Sequence, residues 1–375
     1  ACIIKDGKII AASEEERFKR IKHWAGFPTE AIRFCLQDAN IKITDLDHIT
    51  ISRDPKANFY KKIRFILANG SSFYSLINRF INTNKVLSVT KQISKEFNIP
   101  SRDLKFNIHS IEHHRSHLAS AFFASSFTDA ALLSLDGFGD FTSTMIAIGN
   151  NNNIKVIDSL HFPHSLGIFY TAATQFLGFL KYGDEYKVMG LAPYGKPIYK
   201  KQLENIIRPL DNGFFELDTK YFKHVKKGVD MSFNNQEPHI SLLFTSLWAE
   251  LFQNKMSLSD KISQFHMDFA SSVQHVTEEI IFHILNHLYK RTGLKDLCLA
   301  GGVGQNSVAN GKILLNTPFE RIYIPSAAHD AGTSIGSAYY LYNHILGNKR
   351  IPEIQHAYFG SQSISEEIIS CLKEY

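Results

Sequence analysis

The stretch Ala130-Ala131-Leu132-Leu133-Ser134-Leu135-Asp136-Gly137-Phe138-Gly139-Asp140 is an apolar run that ends in a turn rich in glycine and aspartate. Such a run predicts a buried strand, and two further strand-like segments, 144–148 and 154–160, follow it around the turn 149–153. A similar hairpin opens the chain, where 1–4 and 8–12 flank Lys5-Asp6-Gly7. The repeated pattern predicts a duplicated lobe whose first copy lacks its opening strand and turn.

Segments of helical spacing alternate with strand-like segments along the rest of the chain. We expect helices at 29–40, 112–126, 263–292, 305–315 and 329–342, and strands within 43–52 and at 105–109, 296–300 and 321–325. The region 59–97 also has helical spacing and is interpreted as an insertion over one lobe. Strands alternating with helices indicate an α/β protein, here with two lobes and a cleft between them.

The bulk composition limits the class of protein. The chain has 375 residues, of which 44% are hydrophobic and 21% charged, values typical of an ordered globular protein with a large core. The net charge of +5 is modest and the basic residues form no long stripe, so no nucleic-acid partner is expected. No apolar run reaches about 18 residues, so no membrane partner is expected. The four cysteines are far apart and form no CxxC pair, which fits a cytoplasmic location and argues against a cysteine zinc site.

The segment Glu112-His113-His114-Arg115-Ser116-His117 places two histidines four residues apart. On a helix, His113 and His117 lie on one face and can bind the same metal ion, whereas His114 points about a quarter turn away. The same spacing occurs at 109/113, which begins on a strand, and at 283/287, which lies among apolar residues and is interpreted as a packed pair. His113 and His117 are therefore either half of a metal site or a second packed pair.

Two aspartates extend this candidate site. Asp136 ends the buried strand, and Asp330 precedes Gly332 in a turn between strand and helix. In an open α/β sheet, an aspartate at the carboxyl end of a strand points into the cleft, and neighbouring glycines let a ligand approach the backbone. Two histidines and two aspartates suit Fe(II), Mn(II) or Zn(II). The alternative for each aspartate is a helix N-cap or a turn residue.

Two further segments are candidates for ligand binding. The turn Gly301-Gly302-Val303-Gly304 lies between a strand and a helix, where a nucleotide can approach backbone amides, but it matches neither the dinucleotide-binding nor the P-loop pattern. The run 182–195 has no general physical meaning; it is either a loop or a segment in which Lys187 holds an anionic substrate.

Several motifs in one order resemble the carbamoyltransferase family of nodulation and antibiotic biosynthesis, the NodU/CmcH type. These motifs are Ser13-Glu14-Glu15-Glu16-Arg17-Phe18, His113-His114-Arg115-Ser116-His117, Leu135–Asp140, Lys187-Val188-Met189-Gly190-Leu191-Ala192-Pro193-Tyr194-Gly195, Gly301–Asn310 and His329–Gly336. The run from Lys187 to Gly195 is highly specific, whereas the glycine turn and the spaced histidines occur more widely. The resemblance covers nearly the whole chain.

The resemblance implies a fold and a set of site residues. The implied fold is that of the actin, sugar kinase and heat-shock ATPase superfamily (ASKHA), in which two duplicated βββαβα lobes enclose a nucleotide cleft. The implied ligands of a divalent transition metal, with Fe(II) as the first choice and Mn(II) or Zn(II) as alternatives, are His113, His117, Asp136 and Asp330. The implied contacts to the adenylate are Gly301, Gly302 and Asn306.

The resemblance also implies a reaction in two stages. A C-terminal domain makes carbamoyl adenylate from ATP and carbamoyl phosphate, and the domain resembled here passes the carbamoyl group to a hydroxyl of a sugar-containing or secondary-metabolite acceptor. Lys187, or Lys19 in the segment after Glu16, is a candidate for offsetting charge on the leaving phosphate.

The expected division of the chain follows from the same resemblance. Residues 1–128 are expected to form the first lobe without its opening strand, 129–355 the second lobe with the metal and nucleotide motifs, and 356–375 the lead-in to an adenylate-forming domain. That domain and an acceptor-facing N-terminal segment are expected to be missing, so the chain is expected not to complete the reaction from carbamoyl phosphate.

Two rival functions stay open at this point. The tRNA threonylcarbamoyl-adenosine synthase family shares the implied fold and the spaced histidines, although the run from Lys187 to Gly195 argues against it. An actin-like nucleotide-binding scaffold without transfer chemistry would have no use for the histidines and aspartates.

Overall fold

The computed structural model describes residues 1–69, 89–229, 231–234, 237–253, 261–351 and 353–374. Its central feature is a five-stranded sheet that begins with the run 129–139. In these ranges the strands are β1 Cys2–Lys5, β2 Lys8–Ala12, β3 His48–Ile51, β4 Asn107–Ser110, β5 Asp129–Gly139, β6 Thr142–Asn150, β7 Asn153–His161, β8 Ile207–Pro209, β9 Phe215–Leu217, β10 Met231–Asn234, β11 Glu237–Ile240, β12 Asp296–Ala300 and β13 Arg321–Tyr323.

The α-helices of the same ranges vary from a single turn to the 29-residue α11. They are α1 Glu15–Lys19, α2 Thr29–Asp38, α3 Phe59–Asn69, α4 Val89–Phe97, α5 His113–Phe122, α6 Leu166–Phe176, α7 Glu185–Leu191, α8 Lys200–Leu203, α9 His224–Lys227, α10 Leu247–Phe252, α11 Gln264–Thr292, α12 Ser307–Asn310, α13 Ile313–Asn316, α14 Gly332–Tyr339 and α15 Ser365–Lys373. Single 3₁₀ turns lie at Ile43–Asp45, Ser101–Asp103, Ala192–Tyr194, Thr219–Tyr221 and Val303–Gln305, and α14 continues as a π-helix over Tyr340–Ile345.

The five-stranded sheet has the order β13-β12-β5-β6-β7. Strands β5, β6 and β7 form an antiparallel meander, and β12 and β13 add in parallel on the other side of β5. Strands β8–β11 lie between β7 and β12 but pair in separate two-stranded sheets; without them, β5–β7, α11, β12 and the helices after it have the βββαβα order implied by the resemblance. The expected α/β fold is therefore confirmed, and this sheet has the strand order of one lobe of the implied fold.

Helices cover both faces of this sheet, because alternate residues of β5 are buried on opposite sides. Ala131, Leu133 and Leu135 belong to the larger core, which includes α6 and α11. Ala130 and Leu132 belong to a second core, which includes α5 and the end of α14. Strand β5 is thus buried on both faces from residue 130 to 135, and Asp136 is the first residue after this buried run.

The N-terminal part of the chain contains a hairpin, β1–β2, and a parallel pair, β3–β4, which form separate two-stranded sheets. Their core includes Ile3, Ala11, Leu36, Ile93 and Phe106. Helix α5 precedes residue 128 but packs in the core shared with β5 and β12. The expected boundaries at 128 and 355 stay predictions.

Most expected elements form where the sequence pattern places them, and one does not. The segment 305–315 is not one helix but a 3₁₀ turn and two short helices. The side chains of Asn306 and Asn310 bond to backbone groups of Ala309 and Gly304, and such local bonds compete with a continuous helix.

The strand expected within 43–52 is confirmed as β3. Residues 43–45 form a 3₁₀ turn before β3, because the Asp45 carboxylate accepts the N–H of Lys42. The region 59–97 contains α3 and α4, and the part of that expectation on 70–88 lies outside the described residues.

No helix in the described part of the chain is both long and apolar enough to cross a bilayer. All four cysteines, Cys2, Cys35, Cys298 and Cys371, are free thiols.

Candidate metal centre

Helix α5 carries two histidine side chains that meet. The Nε2 atoms of His113 and His117 are 3.0 Å apart, and the ring of His117 is fully buried. The helix starts at His113 because Glu112 is its N-cap and accepts the N–H of Arg115 at 2.8 Å. The one-turn spacing thus aims both rings at a common point.

Asp136 and Asp330 point at the same place from two other elements. Oδ2 of Asp136 lies 3.0 Å from Nε2 of His113 and 3.4 Å from Nε2 of His117. Oδ1 of Asp330, in the turn before α14, lies 3.5 Å and 3.4 Å from the same two nitrogens. The second oxygen of Asp136 accepts the main-chain N–H of Gly302 at 3.1 Å.

These four side chains have the geometry of a ligand set. One ligand atom from each lies within 4.8 Å of all the others. Two ligands that share one ion at about 2.1 Å lie roughly 3.0–3.4 Å apart at octahedral or tetrahedral angles, so the donor separations fit a single transition metal ion. The structure brings together all four residues singled out from the sequence, and their role as metal ligands stays a prediction.

The cluster is strongly charged. Burial would lower the pKa of His113, but the hydrogen bond to Asp136 and the charges of Asp330 and Asp136 outweigh it and raise the pKa to about 9. Burial would raise the pKa of Asp136, yet hydrogen bonds from His113 and His117 hold it well below its usual range. The raised pKa of His113 and the lowered pKa of Asp136 favour protonated imidazole against carboxylate, so binding of a metal ion here would release protons.

His114 has a structural role. Its Nε2–H donates to the carbonyl of Thr142 at 3.1 Å, and its Nδ1 accepts from the hydroxyl of Ser134 at 2.8 Å. Burial, together with the neighbouring His113 and His117, lowers the pKa of His114 well below its usual range, so it is neutral. His283, from the other spaced pair in α11, donates to the carbonyl of Leu210.

Close packing fixes α5 relative to α14, the helix after Asp330. A Cβ atom at Gly336 would lie 1.8 Å from the carbonyl oxygen of Ser116, so the two helices touch at this glycine. At the far end of α5, Arg350 donates to the carbonyls of Phe122, Ser125 and Phe127. Both contacts hold the helix that carries His113 and His117 in place.

The glycine turn after β12 adjoins the cluster. Gly301 has φ +95°, and its N–H donates to the carbonyl of Ala328. Asn306 is the N-cap of α12 and exchanges two hydrogen bonds with the side chain of Gln274. The amide group of Asn306 is thus already bonded within the protein, and the contacts of Gly301, Gly302 and Asn306 with an adenylate stay predictions.

The two candidate lysines lie in ion pairs. Lys187 pairs with Asp184 at 2.7 Å and lies over the ring of Phe179. Lys19 lies 3.8 Å from Glu15 and 3.6 Å from Glu30. Their partners are outside the four-residue cluster, and their catalytic role stays a prediction.

Residues to which the sequence assigned no role also surround the cluster. Nδ1 of His329 lies 3.1 Å from the amide of Gln305, and its Nε2 lies 4.0 Å from the carboxylate of Glu14. His329 thus links the residue before α1 to the glycine turn. Burial and the charges of Asp330 and Asp136 raise the pKa of the Tyr182 phenol. These residues lie inside the segments quoted from the sequence above, and that position is the feature by which the sequence could have identified them.

Residues 1–339 match the family model described as Carbamoyltransferase N-terminus. The chain belongs to this family. An uncharacterized protein of Synechocystis is 37% identical over 100% of this chain and 60% of its own length. The nodulation protein NolNO of Sinorhizobium fredii is 31% identical over 99% of this chain and 50% of its own. The chain thus spans half to three-fifths of these relatives.

The chain is also similar, at lower identity, to proteins outside this group of relatives. A tRNA N6-adenosine threonylcarbamoyltransferase of Polynucleobacter necessarius is 24% identical over 77% of this chain and 67% of its own. Among solved structures, component A of the Acidaminococcus fermentans (R)-2-hydroxyglutaryl-CoA dehydratase is 13% identical, with a TM-score of 0.43, over 90% of this chain and 91% of its own.

Proposed function

We propose that this chain transfers a carbamoyl group from carbamoyl adenylate to a hydroxyl of a sugar-containing or secondary-metabolite acceptor. The observation that carries the proposal is the convergence of His113, His117, Asp136 and Asp330 beside a glycine turn, in a chain of the carbamoyltransferase family. Formation of the adenylate from carbamoyl phosphate and ATP is assigned to a separate domain.

The reaction is an acyl transfer. The acceptor oxygen forms a bond to the carbamoyl carbon, the bond from that carbon to the phosphate oxygen breaks, AMP leaves, and the hydroxyl proton passes to a base. The carbamoyl carbonyl is a poor electrophile, so the site must stabilise negative charge on its oxygen.

The four-residue cluster is suited to that task. His113, His117, Asp136 and Asp330 would hold one divalent ion, for which Fe(II), Mn(II) and Zn(II) all accept imidazole and carboxylate ligands. A bound ion would supply Lewis acidity that polarises the carbonyl and stabilises the developing oxyanion. The buried imidazoles and the backbone bond from Gly302 orient the ligands in advance.

The glycine turn is suited to the nucleotide half of the donor. Gly302 is exposed, while its N–H bonds to a carboxylate of the metal cluster at 3.1 Å. A nucleotide phosphate beside this turn would put its anhydride bond next to the cluster. One donor molecule can therefore span both features, with AMP at the turn and the carbonyl at the cluster.

Carbamoyl adenylate offered to the purified chain with a panel of sugar and polyol acceptors tests this function. We expect release of AMP together with a carbamate ester on the acceptor, measured by chromatography and mass spectrometry. His117→Ala should abolish both. A matched control, His275→Ala, removes a histidine whose side chain is 44% exposed on α11. Equal ester formation by wild type and His117→Ala would refute the assignment, as would hydrolysis without ester for every acceptor.

A second candidate function is transfer to tRNA, which the similarity to the threonylcarbamoyltransferase favours. The modest net charge without a basic stripe favours a small acceptor instead. Titration of the chain with unmodified tRNA at physiological salt separates the two. Tight binding, with transfer to adenosine in the tRNA, would replace the proposal, whereas weak binding that fades with salt supports it.

A further inference from the structure

Asp140, the last residue of the turn after Asp136, has an unusual backbone conformation. Its φ is +49° and that of the next residue, Phe141, is +76°, so two consecutive residues other than glycine are in the left-handed region. Such conformations cost free energy and persist where surrounding contacts fix them.

A single oxygen of Asp140 makes the contacts that fix this turn. Oδ2 accepts the main-chain N–H of His113 at 3.0 Å and that of Asp54 at 2.7 Å. The carbonyl of Asp140 accepts a further bond from the side chain of Asn58 at 3.0 Å. Asp54 and Asn58 lie between β3 and α3, so the turn joins the N-terminal lobe to the first residue of α5.

The bond from the N–H of His113 to Asp140 satisfies a backbone donor at the start of α5. The first N–H groups of a helix have no partner within it, and a carboxylate there is favoured by the helix dipole. The carboxylate of Glu112 accepts the N–H of Arg115, and the carboxylate of Asp140 accepts the N–H of His113. The backbone of the first metal-binding candidate is thereby held from outside its own helix.

The residue before Asp140 holds the same histidine from a second side. A Cβ atom at Gly139 would lie 2.0 Å from Cδ2 of His113, so the glycine backbone lies directly against the imidazole ring. Gly139 thus restricts the ring, while Asp140 restricts the main chain.

We infer that Asp140, with Gly139, is a positioning residue for the metal centre, which sets the His113 ring and ties it to the 53–58 turn of the first lobe. The run Asp136–Asp140 then has two parts: its first aspartate faces the ligand position, and its last two residues orient His113. The inference rests on the proposed metal site.

Titration of metal-free protein with Co(II) tests it, because the visible spectrum of bound Co(II) reports ligand geometry independently of activity. We expect Asp140→Ala to weaken Co(II) binding about 10–100-fold, the usual effect of losing an outer partner of a ligand, and to change the spectrum. Asp140→Asn should recover most of the affinity, since an amide oxygen can accept both N–H bonds. Asp158→Ala, which removes an exposed aspartate on β7, is the matched control.

A second variant keeps the test decisive where Asp140→Ala fails to fold. Gly139→Ala leaves every hydrogen bond of Asp140 in place but pushes on the His113 ring, and it should also weaken Co(II) binding and alter the spectrum. Folded Asp140→Ala or Gly139→Ala protein with wild-type affinity and spectrum would overturn the positioning role and leave the proposed function standing. Failure of the wild type to bind Co(II) would overturn both.

Discussion

The main-chain N–H of Gly302 donates a hydrogen bond to Oδ1 of Asp136, the carboxylate whose other oxygen faces both imidazoles. This bond joins the glycine turn to the candidate metal centre. The two features are therefore one site, and a change in the turn should reach the cluster.

The first prediction concerns Gly302→Ala. The backbone at Gly302 is helical, so alanine is not strained there, but its Cβ would lie 2.8 Å from Oδ1 of Asp136. The carboxylate must shift, and we expect weaker binding of both Co(II) and AMP, each by about 10-fold. Calorimetry measures both. Gly311→Ala, where a Cβ makes only an ordinary 3.5 Å contact, is the control, and a loss of AMP binding alone would show that the turn serves the nucleotide without affecting the cluster.

The second prediction concerns metal stoichiometry. We expect one transition metal ion per chain, bound by His113, His117, Asp136 and Asp330. His117→Ala should lose most of it, because the side chain supplies one of two imidazoles, whereas His275→Ala should retain it. Elemental analysis after dialysis measures this content. Equal content in wild type and His117→Ala, or no metal in either, contradicts the ligand assignment.

The sequence predicted those parts of the site that depend on local geometry. A four-residue spacing puts His113 and His117 on one face of any helix, and a buried strand that ends at Asp136 releases that side chain at the sheet edge. Asp330 was identified because it lies in a turn between a strand and a helix, just before Gly332. The five strands of the central sheet were predicted one by one from apolar runs and the turns between them, but their order in the sheet was not.

Sequence patterns did not predict contacts between side chains that are far apart along the chain. The bond from Asn306 to Gln274 and the breaks in 305–315 depend on side-chain partners that periodicity does not show. The contact of Lys19 with Glu30, on a different helix, follows from no spacing rule. Asp140 looked like a turn residue, and its bond to His113 spans 27 positions.

The third prediction concerns pH and His161. Burial, with the positive charge of Lys61 added, lowers the pKa of His161 to about 4, while an unfolded histidine has a pKa near 6.5. Between these values the unfolded chain binds more protons than the folded chain, so the free energy of unfolding falls as the pH drops from 6.5 to 4.

His161→Gln should reduce this pH dependence. The ring is partly exposed, which screens the effect, so we expect a reduction of about 1–2 kcal/mol between pH 7 and 4. Urea unfolding at several pH values measures it. His356→Gln, at an exposed position, should leave the slope unchanged, and an identical slope for His161→Gln and wild type would contradict the prediction.

The fourth prediction concerns Arg350. Its guanidinium donates to the main-chain carbonyls of Phe122, the last residue of α5, and of Ser125 and Phe127, and it also lies over the ring of Phe122. Arg350→Met keeps the apolar stem but removes the donor to the carbonyls of Ser125 and Phe127, while the carbonyl of Phe122 keeps its bonds from Ser125. We therefore expect a loss of about 2–4 kcal/mol in the free energy of unfolding. Denaturant unfolding measures this, with the exposed Lys349→Met as control. A loss below about 0.5 kcal/mol, the usual range for surface changes, would show that water replaces the arginine.

The fifth prediction concerns Gly336, where two effects of one substitution oppose each other. Alanine is favoured over glycine inside a helix by about 1 kcal/mol, which alone would stabilise α14. However, a Cβ at this position would lie 1.8 Å from the carbonyl oxygen of Ser116, a backbone atom of α5 that cannot rotate away. The clash should win, because overpacking of a tight contact costs about 1–3 kcal/mol or more.

The outcome should be visible in both stability and metal binding. Separating α14 from α5 moves Asp330 away from His113 and His117, so Gly336→Ala should lower the melting temperature and weaken Co(II) binding together. Gly360→Ala, at an exposed position where a Cβ meets nothing within 4 Å, is the control for the loss of a glycine. A more stable Gly336→Ala protein with wild-type Co(II) binding would mean that the two helices can separate without moving the ligands, and the close approach would then have no part in forming the site.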